Sequence, residues 1–451
     1  MSQNNFNKNY NRLTEQWIKE YAEEKAGENI VFSPFSLVTL LSIAADATAG
    51  KTKDEIEKYL CKGINFKDFR GSLKRIQDTF AGTDEISTAN AVIVKEDLRN
   101  TIQPLYEETL RDRFDGKLFL SKCVAEDVND WVKEKTNGLI PEIASSSVEE
   151  MLVAILNAIA FDAQWKEDYE DEDLKTGDFK NCDDSISTIT TLSSRESDYI
   201  ENETFTGFIK PYKNDRFSFI ALLPKEDILH IDAKVLNAIN FTGLYSESIP
   251  ADVIVTLPEF KYTFEDELME RFKNSGIKKL FTPQADFRPL STTALKANSL
   301  KHKALIEVSR YGTKAAAVSL LDCGAGCADL NIKFVYLDRP FVYAIIENDS
   351  GLPVFAGVVN HLNEASPEEL NDIDGRKRRR EALRQECKKL YVSIGESLNP
   401  DFAFNKGTPE YDFHYRAKAA YFHGHLEELK SIEKEVAMYL VFKDSDTLFG
   451  N

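Results

Sequence analysis

The stretch His302–Phe341 reads HKALIEVSRYGTKAAAVSLLDCGAGCADLNIKFVYLDRPF. Ala304–Val308 is apolar and partly β-branched, the signature of a buried strand, and strand character returns at Ile332. Between them come Gly312, Thr313 and Lys314, then Ala315, Ala316, Ala317, Val318 and Ser319, then Cys323-Gly-Ala-Gly-Cys327. The small-residue run is too short for a free-standing helix. Its side chains lack the bulk to hold a core strand by packing. Two readings fit. One is a surface loop in which small residues have no purpose. The other is a segment that must enter a close-packed slot, where large side chains would clash. Gly312 would act as its hinge, because glycine takes either sign of φ.

Outward from this stretch, the chain carries clear local signals. Leu13, Trp17, Ile18, Tyr21 and Ala22 recur at helical spacing, so a first helix should lay that face on the core. Ser33 suits an N-cap and Pro34 a first helical position. That helix should end near Gly50, with Thr52-Lys-Asp-Glu55 as a capping box opening the next. A helix over Phe66–Phe80 carries Lys67, Arg70, Lys74 and Arg75, but Asp68 and Asp78 interrupt the charge, so a solvated face is expected. Strands are expected over 89–94, 151–161, 217–223, 253–257, 332–336 and 342–346. Helices and strands mix without strict alternation, which indicates an α+β class with large sheets. From Leu370 onward the character changes. Ser366-Pro367-Glu368-Glu369 should open a short helix, Arg376–Arg380 a second, and Tyr415–Phe442 a third.

The net charge of −19 over 451 residues argues against general nucleic-acid affinity and against anionic membranes. No run approaches a membrane span. The first residues lack the apolar core of a secretory signal, and the six cysteines are scattered. Reduced thiols and a cytoplasmic protein are expected. Arg376–Arg380 admits a nucleocytoplasmic protein, and export without a signal peptide also fits. No enzyme motif is present, and no cofactor is expected. Cys323 with Cys327, or His414 with His423 and His425, do not complete a four-ligand metal set. Cys323 and Cys327 are read as free thiols. A redox lock would need a tight bend through Gly324–Gly326.

Several separated motifs resemble the serpins, over Tyr10 to about Asn360. Asn29-Ile-Val-Phe-Ser33-Pro-Phe-Ser36 is similar to the family's shutter segment. Asn129-Asp-Trp131-Val-Lys-Glu-Lys-Thr136-Asn137-Gly138 is similar to its helix over the central sheet. Leu156-Asn157-Ala-Ile-Ala-Phe161 with Trp165 resembles the central strand and breach tryptophan, and Gly351–Asn360 the C-terminal strands. The resemblance implies a serpin domain over 1–363, with three β-sheets, eight or nine helices and an exposed reactive loop. Residues 364–451 would be a mainly helical extension of unknown role.

The family pattern further implies a suicide-substrate inhibitor rather than an enzyme. A serine or cysteine protease would attack the loop, which then inserts into the central sheet. Gly312, Thr313, Ala315, Ala316 and Ala317 would form the loop hinge. Fourteen residues past Gly312, the family's usual loop length, the reactive bond falls at Gly326–Cys327. That position favours a shallow-pocketed, elastase-like target and a monomeric inhibitor. Ser33, Ser36, Asn157 and His302 would form a polar shutter. At the breach, beside Trp165, Arg310 and Glu259 stand where many serpins have an acid and a lysine. The joint reversal implies an Arg310–Glu259 ion pair. The competing reading is a non-inhibitory serpin, acting as a carrier, chaperone or interaction scaffold.

Overall fold

The computed structural model describes residues 2–80, 83, 85–120, 124–145, 152–313, 332–399, 404–405, 407–422 and 425–448. The chain divides into two compact units, Met1–Ala365 and Ser366–Asn451.

One of the two sheets of the first unit has seven strands among the described residues. Its strands run in the order Gly116–Phe119, Ile86–Val94, Val153–Phe161, Ala297–Ser309, Gly312–Thr313 and Ala163–Gln164, with Phe260–Glu267 also paired to Ala297–Ser309. At the centre, Val153–Phe161 and Ala297–Ser309 pair in parallel from Ala297↔Val153 to Leu305↔Ala160. Every residue of Val153–Phe161 is buried, as expected of a parallel strand covered on both faces. One face carries Ile155, Ile159 and Phe161 into the main core. The other carries Ala154, Leu156, Ala158 and Ala160, and with Ala89 and Ala91 these residues pack against Val128 and Val132 of helix Val124–Lys135.

The remaining strands form one nine-stranded sheet, where two further sheets were expected. The reason is the 16-residue strand Ile186–Glu201. It pairs with Leu174–Lys180 and Ile249–Pro258 along much of its length and with Phe205–Pro211 at its far end, so it joins both into one ladder.

Helix Ser2–Glu24 buries Leu13, Trp17, Ile18, Tyr21 and Ala22, the face its periodicity indicates. Ser33 caps Pro34–Ala47, accepting the Ser36 N–H. The expected capping box does not form, because the next helix starts three residues earlier, at Gly50, with Ala49 as its N-cap. Thr52 and Glu55 act at longer range. The Thr52 hydroxyl accepts the Asp286 N–H, and Glu55 accepts those of Lys278 and Lys279.

The second unit holds three helices among its described residues, with boundaries that differ from expectation. Ser366 and Glu369 form a capping box, but the helix they open is continuous over Pro367–Leu398, so Arg376–Arg380 lies within it. The stretch read as one last helix is two, Pro409–Phe422 and Leu426–Leu448. Cys387, Ile394, Ala417, Ala420, Leu429, Ile432 and Val436 form their core. No helix among the described residues is long and apolar enough to cross a membrane.

Because each unit has a hydrophobic core of its own, truncation after Ala365 should leave a cooperative unit. Its calorimetric midpoint should stay within about 3 °C of the full chain's, a shift of under about 1–2 kcal/mol at this size. Loss of cooperative melting would show that the first unit depends on residues 366–451.

Candidate functional site

Two groups of residues lie along the central parallel pair of strands. The first sits mid-seam, where Asn157 faces His302 in register. Both are buried, as are Ser33, Ser36 and Asn90. Polar groups in such a place need partners, and here they form a chain. The Ser33 N–H donates to His302 Nε2 at 3.2 Å, so the ring proton is on Nδ1 and points to Asn157 Oδ1, also at 3.2 Å. Asn157 Nδ2 donates to Asn90 Oδ1 at 2.8 Å, and Asn90 Nδ2 to the Phe114 carbonyl at 2.7 Å. The Ser33 hydroxyl donates to the Val354 carbonyl at 2.7 Å and accepts the Ser36 N–H at 3.1 Å. Ser36 contributes only that backbone group; its own hydroxyl is buried without a hydrogen-bond partner among the described residues. Burial lowers the His302 pKa to about 3.

The second group sits at the end of the seam. Gly312–Thr313 forms a two-residue strand wedged between neighbours. It pairs antiparallel with Ser309 and Val308 on one side and with Gln164 and Ala163 on the other. Gly312 has φ +138°, and a Cβ there would fall 2.1 Å from the Ala163 carbonyl oxygen, so both conformation and space demand glycine. The Thr313 side chain is buried, with Oγ1 2.6 Å from the Tyr212 hydroxyl. Tyr212 stacks on Trp165 at 4.6 Å, and Trp165 Nε1 donates to the Ser309 carbonyl at 2.8 Å. This stacked pair therefore holds both sides of the wedge. Behind it lies a buried ion pair, Lys210 to Glu196 at 2.9 Å, with the ammonium 5.4 Å from the Trp165 ring centre.

Arg310 and Glu259 do meet, but not as the expected ion pair. The Glu259 carboxylate accepts the Arg310 backbone N–H at 2.9 Å, while the guanidinium pairs with Asp171, also at 2.9 Å. The side chain leaves the sheet toward the loop carrying Asp171, and the main chain of Arg310 is what faces Glu259. Hinge residues Ala315, Ala316 and Ala317, the expected reactive bond Gly326–Cys327, and Cys323 lie outside the described residues.

Asn90, Tyr212, Asp171 and the buried pair Lys210 and Glu196 escaped the sequence. Asn90 could have been found, as a lone amide in the apolar run Ala89–Val94. Tyr212 and Asp171 carry no such signal.

Comparison with known proteins identifies the family. The profile of the serpin (serine protease inhibitor) family matches residues 8–362. The chain belongs to the serpin family. It is 30% identical to Serpin-Z10 of Arabidopsis thaliana, over 77% of this chain and 94% of that one. It is 27% identical to plasminogen activator inhibitor 1 of Neovison vison, over 76% and 89%. Among solved structures, the thermophilic serpin tengpin in its native state superposes with a TM-score of 0.72 at 30% identity, covering 79% of this chain and 94% of that one. The first unit thus has the serpin fold, and serpins are in general protease inhibitors rather than enzymes.

Two tests follow from the geometry. A histidine held below its ordinary pKa stabilises the fold above pH 6.5, and that stability is lost as pH falls toward about 3. Between pH 7 and pH 4 the native protein should lose about 3 kcal/mol more than a His302→Gln variant in urea denaturation. Equal slopes would mean the buried ring is not kept neutral. At the breach, Glu259→Lys removes the acceptor of the Arg310 N–H, and adding Arg310→Glu does not replace it. Both the single and the double variant should therefore polymerise faster than the native protein on mild heating. A native-like rate in the double variant would show that charge pairing carries the contact.

Proposed function

We propose that this serpin inhibits a serine protease as a suicide substrate, with cysteine proteases accessible through the same acyl chemistry. The nucleophile attacks the Gly326 carbonyl, the bond to Cys327 breaks, and its amine leaves with the nucleophile's proton. The loop, held to the protease by the new ester or thioester, then enters the seam between Val153–Phe161 and Ala297–Ser309. The observation that carries this reading is the wedge. Gly312 and Thr313 are already paired on both sides at one end of that seam. Continuing from Thr313, alternation sends Ala315, Ala317 and Ser319 inward, all small, and Lys314 outward. Roughly a dozen inserted residues at about 1 kcal/mol net per ladder bond, plus apolar burial, supply on the order of 10–20 kcal/mol. That exceeds what a protease's catalytic loops can resist, and it makes the uncleaved inhibitor a kinetically trapped state.

Glycine before the cut bond offers no side chain for a deep pocket, so an elastase-like protease is the proposed target. The proposed inhibitor is a cytoplasmic monomer.

Mixing with a panel of serine proteases should give a detergent-stable covalent band, with the released peptide starting at Cys327 by mass spectrometry. Thr313→Arg should abolish the band and leave only cleavage, because a charge cannot replace Thr313 in its buried site beside Tyr212. Trapping by Thr313→Arg at unchanged stoichiometry would overturn insertion. Cleavage of the native chain without a covalent band, accompanied by a large gain in thermal stability, would mean insertion without trapping.

A further inference from the structure

Ile332–Tyr336 ends the path of the nine-stranded sheet. It pairs in parallel with Ile249–Pro258, from Asp252↔Ile332 to Thr256↔Tyr336, and has no second strand neighbour among the described residues. Val335 points inward and is buried, so the alternate residues Ile332, Phe334 and Tyr336 share the outer face. On an outward face these positions are ordinarily polar. Here they are 39%, 56% and 44% exposed. The Phe334 and Tyr336 rings touch, with centroids 5.9 Å apart. In the facing register lie Asp252, Ile254 and Thr256, and Asp252 is tied to Arg195 across the sheet. The patch is therefore an aromatic pair with an isoleucine, bordered by a neutralised ion pair. Single exposed apolar residues are ordinary, but three aligned on an edge strand mark a contact surface.

We infer that this stripe is a secondary docking surface for the target protease, contacting an apolar rim on the leaving-group side of its cleft. The inference rests on the proposed reactive bond. Chain length selects the occupant. From Cys327 to Ile332 there are only five residues, so the stripe begins at most about 17 Å along the chain from the bond. A protease domain of ordinary size has a radius of gyration of about 17 Å, so its body extends past that reach. The side on which the released amine leaves is the side from which Ile332–Tyr336 departs. A shift of one or two residues in the bond does not change this. Glycine at the bond provides little recognition of its own, so a contact beyond the cleft would supply selectivity among proteases that accept the same loop. Aromatic side chains at the centre of a contact are the type that dominates such interfaces.

The test compares the full chain with Phe334→Ser/Tyr336→Ser against pancreatic elastase and other shallow-pocketed serine proteases. Association rate, inhibition stoichiometry and the covalent band are measured together. The expected result is association with at least one protease slowed about ten-fold or more, while stoichiometry and band are preserved. Unchanged rates with every protease trapped would overturn the surface while leaving inhibition standing. If the native chain forms no covalent band, the inhibitory reading fails and the surface with it. Should the serine variant lose its native melting profile, Phe334→Gln/Tyr336→Gln gives the same comparison. Analytical ultracentrifugation checks the other occupant. A native dimer that the substitutions convert to monomer would assign the stripe to a second copy and overturn the proposal.

Discussion

The structure turns on a seam between two parallel strands, Val153–Phe161 and Ala297–Ser309, neither of which is locked to the other by anything stronger than a backbone ladder and neutral hydrogen bonds. An ion pair buried at mid-seam would be hard to part, since each charge would need its partner or water at every stage. Neutral amides and an imidazole make a softer clasp. Asn157, Asn90 and His302 each have donor and acceptor capacity that can be redirected when a neighbour moves. Burial keeps the ring neutral, and that neutrality fixes the direction of the chain, from Ser33 N–H into Nε2 and from Nδ1–H into Asn157. A protonated ring would set two donors against each other at Ser33. The clasp is thus coupled to the helix that Ser33 caps, and through Val354 to the C-terminal strands.

The two faces of the seam are built for different tasks. Ile155, Ile159 and Phe161 give one face the bulk of a core. The other is mostly small, Ala154, Ala158 and Ala160 with the single larger Leu156, and helix Val124–Lys135 packs on it. Small residues interdigitate less, so sliding them costs less repacking than sliding large ones. This suits the proposed insertion, in which the strands would separate beneath the helix.

Legibility followed the range of the interaction. The first helix, the Ser33 cap and the strand at Ile332–Tyr336 depend on neighbours in sequence, and local pattern such as the Trp17–Tyr21 spacing of the helix and the Ser33-Pro34 pair declared them. Thr52 and Glu55 had the right spacing for a cap, but their oxygens were taken by backbone groups more than 200 positions away, and local pattern cannot register that competition. Ile186–Glu201 merged two sheets because one long strand could serve three neighbours, a fact of pairing rather than of composition. At the clasp, Ser33, Asn157 and His302 were legible through family resemblance, while Asn90 was missed although it is the lone amide in an apolar run. The Arg310–Glu259 contact was read in the right place and with the wrong atoms. Charge reversal at two positions points to side chains, while the bond that forms uses a backbone N–H, which every residue except proline has and no sequence advertises.

The state of the seam also bears on how insertion would begin. The ladder is closed through Ala160↔Leu305, and by Ala163 and Val308 the strands stand apart with Thr313 between them. A fork therefore lies within three residues of Leu305. Starting a strand from nothing would cost closure entropy before any bond formed. With Gly312 and Thr313 seated, each further step exchanges one ladder contact across the seam for two flanking the new strand, so the count of backbone bonds rises with every advance. What opposes the first step is local. Tyr212 holds Thr313, Trp165 holds Ser309, and Glu259 holds the N–H of Arg310. None of these three contacts is charged on both sides, but the Arg310–Asp171 ion pair lies beside them. In the proposed insertion the barrier would reside in packing and hydrogen bonding around the Trp165–Tyr212 stack.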